Sequence, residues 1–116
     1  MTVRGAQDRI VKQVSDWEGV SAGPHRFGGT EFRFGRRELG HVHADSLADI
    51  VFPKDVRDRL VEEGRAEPHQ YVPNSGWVTF RFDREEDVEV AIELFRMSYQ
   101  IAKERLGSAR VPLPSQ

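Results

Sequence analysis

Residues 76–107, GWVTFRFDREEDVEVAIELFRMSYQIAKERLG, carry the strongest structural pattern in the chain. Over residues 77–82 the apolar residues Val78, Phe80 and Phe82 occupy every second position, which predicts a strand with one buried face. Over residues 84–105 apolar residues recur every three or four positions, as on an amphipathic helix. This stripe consists of Val88, Ala91, Ile92, Phe95, Tyr99, Ala102 and Leu106. We therefore predict a strand and a long helix that packs its stripe on a sheet and ends at Gly107.

The chain before this stretch predicts two shorter helices and an antiparallel meander. In chain order, the predicted elements are a helix over 7–17, strands over 20–27, 30–34 and 37–43, a single helical turn over 45–50, a helix over 54–63 and a strand over 66–72. Antiparallel strands with helices at intervals are typical of α+β domains. The predicted fold is a single α+β domain over residues 1–107, with a twisted antiparallel sheet of about five strands, helices packed on it and a long C-terminal helix. Residues 108–116 are predicted to be a flexible tail.

The composition is that of a small globular protein and excludes several kinds of site. Charged residues make up 31% and hydrophobic residues 38% of the 116 residues, which is enough for one core. The chain has no cysteine, which excludes disulfides, thiolate nucleophiles and cysteine-bound metals. Its net charge of −2 means that nucleic-acid binding would need a local basic patch. The lack of a long apolar run and of a signal-peptide pattern favours a cytoplasmic protein without membrane contact.

The segment Glu38-Leu39-Gly40-His41-Val42-His43 places two histidines two residues apart on a predicted strand. Because residues two apart share a face, we expect His41 and His43 to point the same way as Leu39. They would face a common cleft, with Val42 on the opposite side, and at least one would have a pKa below the usual value of about 6.5. His41 and His43 are therefore candidates for acid–base catalysis.

The same two histidines are candidate metal ligands, since imidazole suits zinc, copper and iron. A third ligand would come from His25, Glu31, Asp45, Asp49 or His69. In the alternative interpretation, which we adopt as the prediction, both histidines line the sheet through hydrogen bonds and hold no metal.

Two further segments contribute candidate ligand-binding residues. In the segment 23–29, the glycines would allow an anion to approach the backbone and Arg26, next to His25, would clamp it. Gly-Gly also fits a plain hairpin turn. The polar segment 67–77 contains His69 and Trp77, and Trp77 is either a stacking platform or part of the core edge. The chain has neither a P-loop nor a dinucleotide-binding motif, so no cofactor is predicted.

An ordered series of short motifs resembles one small bacterial and fungal family. The motifs are Gly28-Gly29-Thr30-Glu31-Phe32, Glu38-Leu39-Gly40-His41-Val42-His43, Phe52-Pro53, Gly64-Arg65-Ala66-Glu67-Pro68-His69 and Ser75-Gly76-Trp77-Val78. The family is the luciferase-domain family, formerly a domain of unknown function, and the resemblance covers about residues 20–103. The second half is similar, more weakly, to YjbR/MmcQ-like proteins, which have a helix-flanked antiparallel sheet.

The resemblance implies a shared fold and shared pocket residues, without an established reaction. It does not imply light emission, because a light-emitting oxygenase needs room for a flavin or a luciferin. This chain has no cofactor motif and little spare volume.

Together these patterns predict a domain that binds a small molecule or a peptide in a histidine-lined cleft, where strand 37–43 meets the segment 69–77. The candidate ligand-binding residues are His25, Arg26, His41, His43, His69 and Trp77. One alternative is a small histidine-dependent enzyme, metal-assisted or not. Another is a nucleic-acid-binding hairpin, although its charges more often form only a solvated sheet face. Its arginines are Arg26, Arg33, Arg36 and Arg37. The sequence leaves the oligomeric state open.

Overall fold

The computed structural model describes the backbone of residues 2–110 and the side chains of residues 2–105. In chain order, its elements are α1 (Ala6–Val14), β1 (Val20–His25), a 3-10 turn (Arg26–Gly28), β2 (Gly29–Phe34), β3 (Arg37–His43), β4 (Leu47–Val51), α2 (Lys54–Glu62), β5 (Glu67–Pro68), β6 (Trp77–Arg81) and α3 (Glu86–Arg110). Among the described residues, no helix is both long and apolar enough to cross a membrane.

The strands form one open antiparallel sheet in the order β1-β2-β3-β4-β6-β5. Helices α1 and α3 pack against each other and against the central strands, and the core lies between them and the sheet. The largest fully buried side chains include Phe32, Phe82, Phe95, Ile10 and Leu39. The predicted α+β class, antiparallel sheet and long C-terminal helix are confirmed.

Two predicted elements are wrong, and both lie in the half of the sheet that β4, β6 and β5 form. Residues 45–50 do not form a helical turn, because residues 47–51 are the strand β4 between β3 and β6. Ala48, Asp49 and Ile50 are all buried there, so the strand lacks the alternation that would reveal it in the sequence. The strand predicted over 66–72 shrinks to the two residues of β5, which ends at Pro68, since proline has no N–H to donate.

The long helix α3 packs the predicted stripe, from Val88 to Ala102, in the core. Val88, Phe95 and Tyr99 are buried, and Phe95 contacts Phe32 of β2 edge to face, with ring centroids 5.1 Å apart. The helix continues past Gly107, which was predicted to end it, as far as Arg110. The predicted flexible tail falls largely on residues 111–116, which lie outside the described residues.

A β-bulge in β3 decides which way its side chains point. Gly40 pairs with Phe32 and Glu38 with Arg33, so Leu39 is the extra residue. Gly40 has a φ of 156°, and a Cβ on it would lie 2.5 Å from the carbonyl oxygen of Asp49. Because of the bulge, Leu39 and Val42 both face the core. The prediction that Leu39 shares a face with the two histidines is therefore wrong, whereas Val42 does lie opposite them.

Candidate functional site

The face of the sheet opposite the core carries a row of polar residues. One cross-strand row runs Glu31, His41, Asp49, Thr79 and Glu67, through five neighbouring strands. Residues directly opposite each other on neighbouring strands have side chains on the same face and in contact. The fold therefore brings acidic, imidazole and hydroxyl groups from distant parts of the sequence side by side.

Asp49 is the centre of this row. Its Oδ1 accepts a hydrogen bond from the Thr79 hydroxyl at 2.6 Å, and its Oδ2 lies 3.2 Å from Nε2 of His41. The Nε2 atoms of His43 and His69 each lie 3.7 Å from the same Oδ2. Three imidazoles thus face one carboxylate whose side chain is only 8% exposed.

His41 and His25 extend the cluster towards the other edge of the sheet. His41 bonds Glu38 through Nδ1 at 2.9 Å, so both of its ring nitrogens have carboxylate partners. The ring of His25 stacks on that of His41 with centroids 3.9 Å apart. Nδ1 of His25 lies 3.1 Å from Oε1 of Glu31, whose other oxygen accepts a 2.6 Å hydrogen bond from Arg33. The cluster contains all four histidines of the chain.

The network holds neighbouring imidazoles in different charge states. Burial lowers the pKa of His41, but hydrogen bonds to Asp49 and Glu38 outweigh burial and raise the pKa of His41 to about 9. Burial raises the pKa of Asp49, yet hydrogen bonds from His41 and Thr79 bring that pKa below its ordinary value. Burial, and then the charge of His41, lower the pKa of His43. At neutral pH a charged His41 therefore lies beside a neutral His43, and the low pKa expected for one of the pair falls on His43.

This arrangement predicts that the metal-free protein loses stability in alkaline solution. The pKa of His41 is about 9 in the folded chain and about 6.5 when unfolded, so its contribution is complete below pH 6.5 and is lost as the pH rises to about 9. That difference corresponds to about 3 kcal/mol of unfolding free energy. The lowered pKa of His43 opposes this trend only near pH 6.5, where unfolded His43 is still partly protonated, and the effect of His41 dominates above it. Urea unfolding with a chelator at pH 6.5 and pH 9 measures the loss, and His41→Gln should abolish it. Equal stability of the unmodified protein at the two pH values would contradict it.

A cavity of about 490 Å³ opens beside the cluster. Its lining includes His43, Asp49, His69, Tyr71, Thr79 and Arg81. The carboxylates in the lining have partners, because Asp49 contacts His41 and Glu67 lies 3.4 Å from Arg81. Nδ1 of His69 accepts a hydrogen bond from the backbone N–H of Tyr71, which leaves Nε2 of His69 to donate when the ring is neutral.

The structure brings most of the predicted site residues together. His25, His41, His43 and His69 form the cluster, and the ring of Trp77 lies 5.3 Å from that of His41. Arg26 directly follows His25, but it is exposed on the 3-10 turn. Their roles in ligand binding and catalysis stay predictions.

The possible third metal ligands separate into two groups. His25, His69, Glu31 and Asp49 lie in the cluster, whereas Asp45 accepts hydrogen bonds from the backbone N–H groups of Gly5 and Gln7 at the start of α1. Thr79 and Glu38 also belong to the network and were not predicted as site residues. The sequence marks Asp49 as a site residue more clearly than it marks Thr79 or Glu38, because Asp49 is the one charged residue in the otherwise apolar run 47–52.

The arginine hairpin offers less free positive charge than its sequence suggests. Arg33 is paired with Glu31, and its guanidinium also donates to the carbonyl oxygen of Arg36 at 3.1 Å. Arg33 thus helps to hold Glu31 against His25. Nucleic-acid binding by this hairpin, which the sequence made the weaker alternative, stays a prediction.

The fold and the cluster define the chain as an antiparallel α+β domain with a histidine–carboxylate network on its open sheet face. Residues 36–98, more than half of the chain, match the model of the Luciferase domain family, and the chain belongs to this family. The matched segment includes His41, His43, Asp49 and His69, whereas His25 precedes it. No curated protein and no solved structure matches the chain. The similarity to YjbR/MmcQ-like proteins stays a prediction.

Proposed function

We propose that this domain binds a small planar molecule in the cavity beside Asp49, with His43 and His69 as its principal contacts. The observation that carries the proposal is the convergence of three imidazoles on Oδ2 of Asp49, next to an open cavity. Such a grouping of polar rings has no role in the core, which lies on the other face of the sheet. A concave site with a few convergent polar groups is the usual form of a small-molecule site.

The size and chemistry of the cavity support a small ligand of low charge. Its volume of about 490 Å³ lies within the range of about 300–1,000 Å³ that is common for small-molecule sites. The ring of Tyr71, which lines the cavity, lies 6.0 Å from that of His69, and this favours a flat ligand that stacks on one of these rings. Since the carboxylates of the lining already have cationic partners, the cavity does not require a cationic ligand.

Binding is tested by NMR titration of ¹⁵N-labelled protein with three probes: benzoate, benzamide and a blocked alanine dipeptide. For ligands of this size we expect Kd values of about 1–10 mM. The two aromatic probes should shift resonances of residues 69, 71 and 79 more than the dipeptide does, and comparison of benzoate with benzamide measures the effect of ligand charge.

Two histidine variants provide the matched comparison. His69→Gln should weaken binding, because His69 lines the cavity, whereas His25→Gln should leave it unchanged, because His25 is outside the lining. Shifts confined to the groove between α1 and α3, which Trp17 and Arg96 line, would contradict the proposal. Larger shifts of the resonances of residues 69, 71 and 79 with the dipeptide than with the aromatic probes would show that the cavity binds a peptide instead of a small planar molecule.

A further inference from the structure

We propose that His25, His41 and His43 bind a divalent transition-metal ion of the zinc class. Each of these residues offers one nitrogen, and the three nitrogens lie within 4.8 Å of one another. Ligand nitrogens around a tetrahedral ion are about 3.4 Å apart, given metal–nitrogen distances of about 2.1 Å, so small side-chain rotations bring the three into range. Their strands β1 and β3 flank β2 in the sheet, which holds the backbone of the three residues rigidly.

The carboxylates around the three imidazoles support this assignment. Glu31 lies 3.1 Å from Nδ1 of His25, Glu38 lies 2.9 Å from Nδ1 of His41, and Asp49 lies 3.7 Å from Nε2 of His43. Metal-binding histidines almost always use their second ring nitrogen to contact such an acceptor, which fixes the tautomer and orients the ring. Each imidazole of the trio thus has a carboxylate neighbour, and Asp49 serves both His41 and His43. Both ring nitrogens of His41 contact carboxylates, so His41 would exchange one of these contacts, and the proton on that nitrogen, for the ion.

The donor type selects the class of ion. Three imidazoles favour zinc, copper, nickel or cobalt over magnesium and calcium, which prefer oxygen. The chain contains no cysteine that could compete for a soft ion. Three protein ligands also leave at least one coordination position for water or for a molecule from the neighbouring cavity.

This inference goes beyond the proposed function, because metal binding does not require that the cavity hold a ligand. The two sites share His43, but each also has a histidine of its own. His25 belongs to the metal trio and not to the cavity lining, whereas His69 lines the cavity and is not in the trio. The same two variants therefore separate failure of one proposal from failure of the other.

The test is titration of the tag-free chain at pH 8 with Co²⁺, monitored by visible absorption, and with Zn²⁺, monitored by calorimetry. We expect one ion per chain and the intense ligand-field bands of four-coordinate Co²⁺. His25→Gln and His43→Gln should each reduce the affinity at least 100-fold. Glu31→Gln, which removes only a carboxylate partner, should reduce it by about 10- to 100-fold. His69→Gln should leave the affinity unchanged.

Urea unfolding without metal establishes that each variant folds. Zn²⁺-induced shifts of the histidine ring resonances in the unmodified chain provide a measurement that needs no variant. Binding lost equally in His25→Gln and His69→Gln would overturn the assignment to this trio. Binding of Mg²⁺ with equal affinity, or no Zn²⁺-dependent shift at His25, His41 and His43, would overturn the proposal itself.

Discussion

Replacing Phe95 by alanine should lower the free energy of unfolding by about 3–5 kcal/mol. The side chain is fully buried at the centre of α3, where it contacts Phe32 and lies over Gly40 at the bulge of β3. Its removal leaves a cavity against the part of the sheet that turns His41 towards the open face. Urea unfolding monitored by circular dichroism measures the change.

Two further variants calibrate this result. Phe95→Leu retains most of the apolar volume and should cost less than Phe95→Ala, since the residual cavity is smaller. Glu93→Ala changes an exposed residue of the same helix and should remain within about 0.5 kcal/mol of the unmodified protein. A loss below about 1 kcal/mol in Phe95→Ala would show that α3 does not pack this ring on the sheet.

The parts of the fold that the sequence predicts correctly are those in which one face of an element is buried and the other is exposed. In α3 the buried side chains repeat with the period of the helix, so the pattern is visible in the sequence. In β4 both faces are covered, by the core on one side and by the histidines on the other. Its residues therefore carry no alternation, and the strand was not predicted.

The site residues likewise differ in whether nearby sequence or the pairing of distant strands decides their position. The spacing of His41 and His43 is local, and their common face was predictable from it. The bulge at Gly40 depends on how β3 pairs with β2, and it separates Leu39 from the histidines and places Glu38 beside His41. The contacts of Asp49 with Thr79 and His69 depend on β6 and the segment before it, and no local pattern predicts such pairings.

Replacing Asp49 by alanine should destabilise the chain by about 3–5 kcal/mol, the usual cost of removing one partner of a buried ion pair. The change would leave the charged His41 with Glu38 alone and remove the acceptor of the Thr79 hydroxyl. Asp49→Asn should cost less, because its amide oxygen can still accept one of these hydrogen bonds. Urea unfolding of the two variants at pH 6.5 tests this order.

A double-mutant cycle of Asp49→Asn with His41→Gln separates the ion pair from the general packing of Asp49. If the charged pair accounts for the loss, the double variant should be more stable than the sum of the two single effects allows, because neither partner is left as an unpaired buried charge. We expect a coupling of about 1–3 kcal/mol at pH 6.5, where His41 is protonated, and a smaller one above pH 9. Additive single effects at both pH values would show that Asp49 acts through Thr79 and local packing, and that the histidine cluster does not depend on its charge.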